Sequence, residues 1–192
     1  MATESVMLPL GSAASPFTLR DVATGQVYSL DSFAGKSALL VMFLSRHCPY
    51  VVHVQMEIAR IGQDYANSKL GLIGISSNDP MHYPEDAPER LKEMAQRLHF
   101  RFPFCFDDTQ EVAKAYKAAC TPDFYLFDSR QRLVYRGQLD GSRPGNNKPV
   151  TGLDLRAAID AVLTGNPVDG NQHPSVGCSI KWKPGNAPSY AG

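Results

Sequence analysis

A chain of 192 residues with nineteen basic and nineteen acidic side chains carries no formal net charge, which removes bulk attraction to nucleic acid or to an anionic membrane as a basis for function. The length suits one well-cored domain. The four cysteines, at positions 48, 105, 120 and 178, have neither Cys-x-x-Cys nor metal-ligand spacing, so no metal or organic cofactor is expected, nor the dense disulfide scaffold of small secreted proteins. A soluble, cytoplasmic thiol protein fits better. The first ten residues carry a glutamate and no signal-like apolar core, and the longest apolar run, residues 38–44, is about a third of a membrane span.

Residues 16–20 and 26–30 are short β-prone segments around Ala23-Thr24-Gly25, a predicted hairpin. Asp31 then caps a short turn ending at Gly35-Lys36. Residues 37–44 are almost wholly apolar between polar flanks, the pattern of a central strand covered on both faces. From Pro49 to about residue 66, Val52, Met56, Ile58, Ala59, Ile61 and Tyr65 recur near helical spacing, with proline in the first turn, where it is well tolerated. Leu70–Ser76 reads as a second buried strand, residues 78–88 as a loop and residues 89–98 as a helix.

Residues 102–106 predict a short strand, Asp107 or Asp108 the cap of a helix over about residues 110–118, and Thr121-Pro122 a turn. Asp123–Asp128 and residues 132–137 form a predicted antiparallel hairpin, and Leu153–Leu163 a last helix. Beyond Gly165 the chain is rich in Gly, Pro, Asn and Ser without apolar periodicity. Residues 166–192 are therefore expected as an irregular tail, packed through Val176, Ile180 and Trp182 on a domain made by residues 1–165. The order β-β-α-β-α-β-α-β-β-α predicts the α/β class, a central mixed sheet flanked by helices.

The residue that carries chemistry is Cys48, in Ser45-Arg46-His47-Cys48-Pro49-Tyr50, at the junction of a buried strand and a helix. A thiol is a nucleophile only when ionised, and an ordinary pKa near 8.5 leaves a few per cent thiolate at neutral pH. Backbone N–H groups and the positive end of the helix dipole favour the thiolate, as does a cationic neighbour, Arg46 or protonated His47. Ser45 is positioned to donate a hydrogen bond. The alternative is a small core residue, the commoner fate of a free cysteine.

The hairpin at Pro16-Phe17-Thr18-Leu19, the strand entering Ser45-Arg46-His47-Cys48-Pro49, the strand Leu72-Ile73-Gly74-Ile75-Ser76 and Thr121-Pro122 before Phe124-Tyr125-Leu126 stand in this order. Over about residues 10–165 the chain thereby resembles the redoxin (AhpC/TSA-type) part of the thioredoxin superfamily, which includes peroxiredoxins and thiol–disulfide oxidoreductases. His-Cys-Pro-Tyr-Val together with Gly177-Cys178-Ser179-Ile180-Lys181-Trp182 is similar to a bacterial subgroup of thioredoxin-family proteins. The resemblance implies a thioredoxin-like fold and a cis peptide bond at Thr121-Pro122, with Pro122 against the active cysteine.

Two departures qualify the chemistry. Val51 stands where a Cys-x-x-Cys motif would place its second thiol, and Val41 where a peroxiredoxin motif would place proline. The peroxiredoxin arginine would fall near Pro122, leaving Arg46 or Arg143 as substitutes. If Thr121-Pro122 lies at the site, Cys120 is the first choice for the resolving thiol, with Cys178 in the tail as rival. The function expected is thiol–disulfide exchange with Cys48 as nucleophile, on a protein or small-molecule disulfide and with an external thiol reductant. Peroxide reduction and a non-enzymatic redox-sensing module are the alternatives. Cys105 is assigned to the core, His53 to a solvated or capping role, and Asp79, Asp140 and Arg143 to turns.

Overall fold

A computed structural model describes residues 2–191. In chain order these residues form β1 (Ala2–Glu4), β2 (Thr18–Asp21), β3 (Val27–Ser29), β4 (Ala38–Phe43), α1 (Pro49–Asp64), β5 (Leu70–Ser76), α2 (Pro88–Arg97) and β6 (Phe104–Phe106). Then follow α3 (Glu111–Ala115), β7 (Cys120–Thr121), β8 (Asp123–Asp128), β9 (Leu133–Gly137), α4 (Leu153–Leu163) and β10 (Val176–Ser179). Short 3-10 turns cover Leu30–Phe33 and Pro84–Asp86.

The main sheet has seven strands in the order β3-β2-β6-β5-β4-β8-β9. β4 lies parallel to β5 and antiparallel to β8, so the sheet is mixed and β4 is internal. Alternation along β4 explains why its sequence is apolar throughout. Leu40, Met42 and Leu44 pack with Val51, Ile58 and Ile61 of α1, Leu91 and Met94 of α2, and Leu155 and Ile159 of α4. Leu39, Val41 and Phe43 face the other way, toward Phe17, Val112, Tyr116 and Ile180. The helix that follows the cysteine is thus fixed by one half of the core.

Most expected elements are present, with ends moved by a few residues. Ser29, not Asp31, occupies the cap position of the first turn and pairs with Ser32. The third helix is shorter than its periodicity suggests. Asp107 closes its start by accepting the Ala113 amide at 3.0 Å, while Gln110 sits at its N-cap in the left-handed region.

The main departure is the tail. It contains β10, the middle strand of a second sheet ordered β1-β10-β7. Glu4 pairs with Val176 and Ala2 with Cys178 on one edge, and Thr121 pairs with Cys178 on the other. The expectation of a tail without regular structure is corrected here. The segment is also bolted beyond the strand: the Ile180 amide donates to Ala119 O, that of Lys181 to Asn78 Oδ1, and that of Lys183 to Gln110 Oε1. Ile180 is in the core and Trp182 packs at its margin.

Candidate active site

Cys48 is the N-cap of α1, with extended backbone (φ −67°, ψ 119°) and Pro49 as the first helical residue. Its carbonyl accepts the Val52 amide at 2.9 Å, which starts the helix. The side chain is 0 % exposed and makes no capping bond. Its thiol donates instead to the Thr121 carbonyl at 3.1 Å. The Thr121–Pro122 peptide bond is cis, as the resemblance implies, and Thr121 Oγ1 is buried without a hydrogen-bond partner among the described residues.

The three residues before Cys48 are organised by a carboxylate that the sequence does not single out. Asp86, 0 % exposed, accepts from Ser45 Oγ at 2.8 Å, from the Arg46 amide at 2.6 Å and from His47 Nδ1 at 2.7 Å. Asn78 Nδ2 and the His47 amide also donate to it. Burial alone would raise its pKa, but hydrogen bonds from His47, Asn78 and Ser45 outweigh that and hold it below the usual carboxylate range.

Two sequence expectations change in consequence. The Ser45 proton goes to Asp86, and Ser45 Oγ accepts the Cys48 amide at 3.2 Å; it positions the cysteine backbone and does not donate to the thiol. Arg46 turns its guanidinium to Glu85 and Glu93. Its charge is spent across the surface toward α2. His47 lies stacked on Tyr83, ring centroids 5.3 Å apart, and Lys181 Nζ sits 5.6 Å from the Tyr83 ring centre.

Of the two candidate partners for Cys48, the structure sets Cys178 beside it. β10 packs on α1, and directly opposed residues of an antiparallel pair share a face, so Cys178 stands on the Thr121 face of the small sheet. Burial, followed by interaction with Cys48, pushes the Cys178 thiol up to about 11, against the opposing charge of Lys181. Gly177 makes this approach possible, since a Cβ there would collide with the Thr121 carbonyl.

Cys120, the first choice on sequence, pairs with Ser179 and so points to the opposite face. It is 0 % exposed, with its thiol toward Pro122 O at 3.8 Å and Ser175 O at 3.9 Å. Burial, with Asp123, Cys48 and Cys178 nearby, holds its pKa well above the ordinary thiol value. Cys120 therefore lies on the face of β7 opposite Thr121, while Cys178 stands on the Thr121 face and interacts with Cys48.

The remaining candidates have structural partners. Cys105 is fully buried, and burial pushes its thiol up to about 12. His53 Nε2 bonds Ser142 Oγ at 2.8 Å. Asp140 accepts the Ser142, Thr151 and Gly152 amides, Asp79 accepts the Met81 amide, and Arg143 donates to Asp140 O, Ser142 O and Gln138 Oε1. Asp86 and Asn78, which hold the residues before Cys48, are the side chains that sequence reasoning passes over. Asp86 lies in Pro84-Glu85-Asp86-Ala87-Pro88, where an acid before a helix reads as ordinary N-terminal charge.

The AhpC/TSA family pattern matches residues 10–136. An uncharacterised protein from Geobacillus kaustophilus, solved by crystallography, is similar with 53% identity and a TM-score of 0.94, over 96% of this chain and 97% of that one. A hypothetical protein from Sinorhizobium meliloti 1021 gives 48% identity and 0.93, over 95% and 100% of the two chains. The thioredoxin domain of a thiol-disulfide oxidoreductase from Bacteroides vulgatus shares the fold, at 21% identity and 0.57, over 71% and 90%. No curated protein matches the chain. With Cys48 at the strand-to-helix junction, the cis proline opposite it and a family pattern spanning both, the chain belongs to the AhpC/TSA family of thioredoxin-fold redoxins.

Proposed function

We propose that the protein is a thiol–disulfide oxidoreductase whose Cys48 and Cys178 cycle between dithiol and disulfide. The observation that carries this reading is the placement of Cys178 on a strand that packs on α1 and pairs with Thr121, the residue whose carbonyl holds the Cys48 thiol. In each turnover a substrate disulfide is reduced to two thiols, the Cys48–Cys178 bond forms, and two electrons leave the dithiol. An external thiol reductant restores it. The cytoplasm, where such reductants keep thiols reduced, suits this cycle.

Peroxide reduction is disfavoured by the same geometry. Ser45 gives its proton to Asp86, Arg46 is committed to Glu85 and Glu93, and Arg143 to Gln138 and two carbonyls. That all three are engaged elsewhere supports disulfide exchange over peroxide reduction.

The test is mild oxidation of the reduced protein with diamide, alkylation of remaining thiols and peptide mass spectrometry. A cross-linked pair containing Cys48 and Cys178 is expected, with Cys105 and Cys120 alkylated after denaturation. A Cys48–Cys120 cross-link, or four alkylated cysteines, overturns the proposal.

A further inference from the structure

Cys48 is 0 % exposed, whereas Cys178, on the strand that covers it, keeps partial access to solvent. The covering strand is not loosely laid. The Ser5 and Ser175 backbones bond ahead of it, β1 lies along one edge and β7 along the other, and Asn78, Ala119 and Gln110 hold the segment beyond. An incoming polypeptide would have to displace β10 to pair with Thr121. A small thiol or disulfide meets Cys178 first.

We propose that Cys178, and not Cys48, is the sulfur through which the pair exchanges with the outside, and that the site takes low-molecular-weight thiols and disulfides. This rests on the Cys48–Cys178 couple proposed above. In the oxidised protein the incoming thiolate RS⁻ attacks Cys178 Sγ, a Cys178–S–S–R bond forms, the Cys48–Cys178 bond breaks, and the electron pair leaves on Cys48. A second RS⁻ releases RSSR and the Cys178 thiolate, which takes a proton from solvent. In the reverse direction Cys178 opens RSSR and Cys48 then attacks Cys178 Sγ, so that two RSH leave with the two thiol protons.

Two features support this order. Exchange depends on which sulfur can be reached and on how well the departing sulfur carries charge. The departing Cys48 stands at the N-terminus of the sixteen-residue α1, at the positive end of its dipole. Cys178 does not cap a helix; burial and Cys48 oppose its charge, and Lys181 is a cation that favours it. Reach and departure thus select different sulfurs.

The experiment uses glutathione disulfide on the reduced, full-length Cys48→Ser and Cys178→Ser proteins, with adducts located by mass spectrometry over time. Cys48→Ala replaces the serine variant if a hydroxyl is not tolerated at this buried position. The expected result is one glutathione on Cys178 when Cys48 is removed, and at least tenfold slower modification of Cys48 when Cys178 is removed. Modification of Cys48 in Cys178→Ser as fast as that of Cys178 in the partner variant overturns the assignment. The wild-type protein is oxidised alongside. If it forms no Cys48–Cys178 bond, the two-cysteine couple itself fails; if it forms the bond while the adduct sits on Cys48, only the order of exchange fails.

Discussion

Asp86 gathers a serine hydroxyl, an asparagine amide, an imidazole and two backbone N–H groups onto one buried carboxylate. Its removal leaves several buried donors unsatisfied at once. Asp86→Ala is expected to lower stability by about 3 kcal/mol, the scale for stripping one partner from a buried charged network, read from the urea midpoint. Asp86→Asn, which keeps an acceptor oxygen but no charge, is expected to lose less. The depressed pKa sets the pH dependence: the contribution is complete above the unfolded carboxylate value near 4 and is lost as pH falls through the lower folded value. Asp86→Asn should therefore close the gap to wild type in acid, and a gap independent of pH would refute the role. At this scale the position of Cys48 at a strand-to-helix junction was legible from local pattern, whereas the choice between Cys120 and Cys178 was not, because it depends on the pairing of β10 with β7. Ser45 and Arg46 were misread because their partners are forty residues distant in the chain.

β10 shows why one element escaped notice while its neighbours did not. β4 and α1 announce themselves through runs of six and sixteen residues, whereas β10 is four residues with a glycine inside and takes its partners from the first strand of the chain and from Cys120–Thr121. Its existence depends on distant pairing, which no local pattern records. Gly177 is the position that decides the fit, because any Cβ there meets the Thr121 carbonyl. Gly177→Ala is expected to lift β10 from β7 and make Cys48 open to iodoacetamide in the folded protein, with at least tenfold slower closure of the Cys48–Cys178 bond. Unchanged labelling of Cys48 and unchanged closure would show that the strand does not control access.

Across the whole molecule, the alternation of β4 into two core halves and the helices that follow its neighbours were readable because they arise from burial, which leaves a pattern in sequence. The electrostatics of the interior were not. Asp123, fully buried beside Pro122, has its pKa raised by burial to about 8, despite donors from Tyr125 and Phe124. The unfolded chain releases this proton near pH 4 and the folded protein only near 8, so between those values the native state holds more protons and stability falls as pH rises, by up to about 1.4 kcal/mol per pH unit. Asp123→Asn lacks this loss. Denaturation from pH 5 to 8 should show wild type weakening relative to the variant, and a constant difference would refute it. The covering of Cys48 by β10 also has a consequence for biosynthesis. Cys48 leaves the ribosome long before Cys178 is made, so the growing chain carries this thiol uncovered, and its shielding from surrounding disulfides begins only when the late strand docks between β1 and β7.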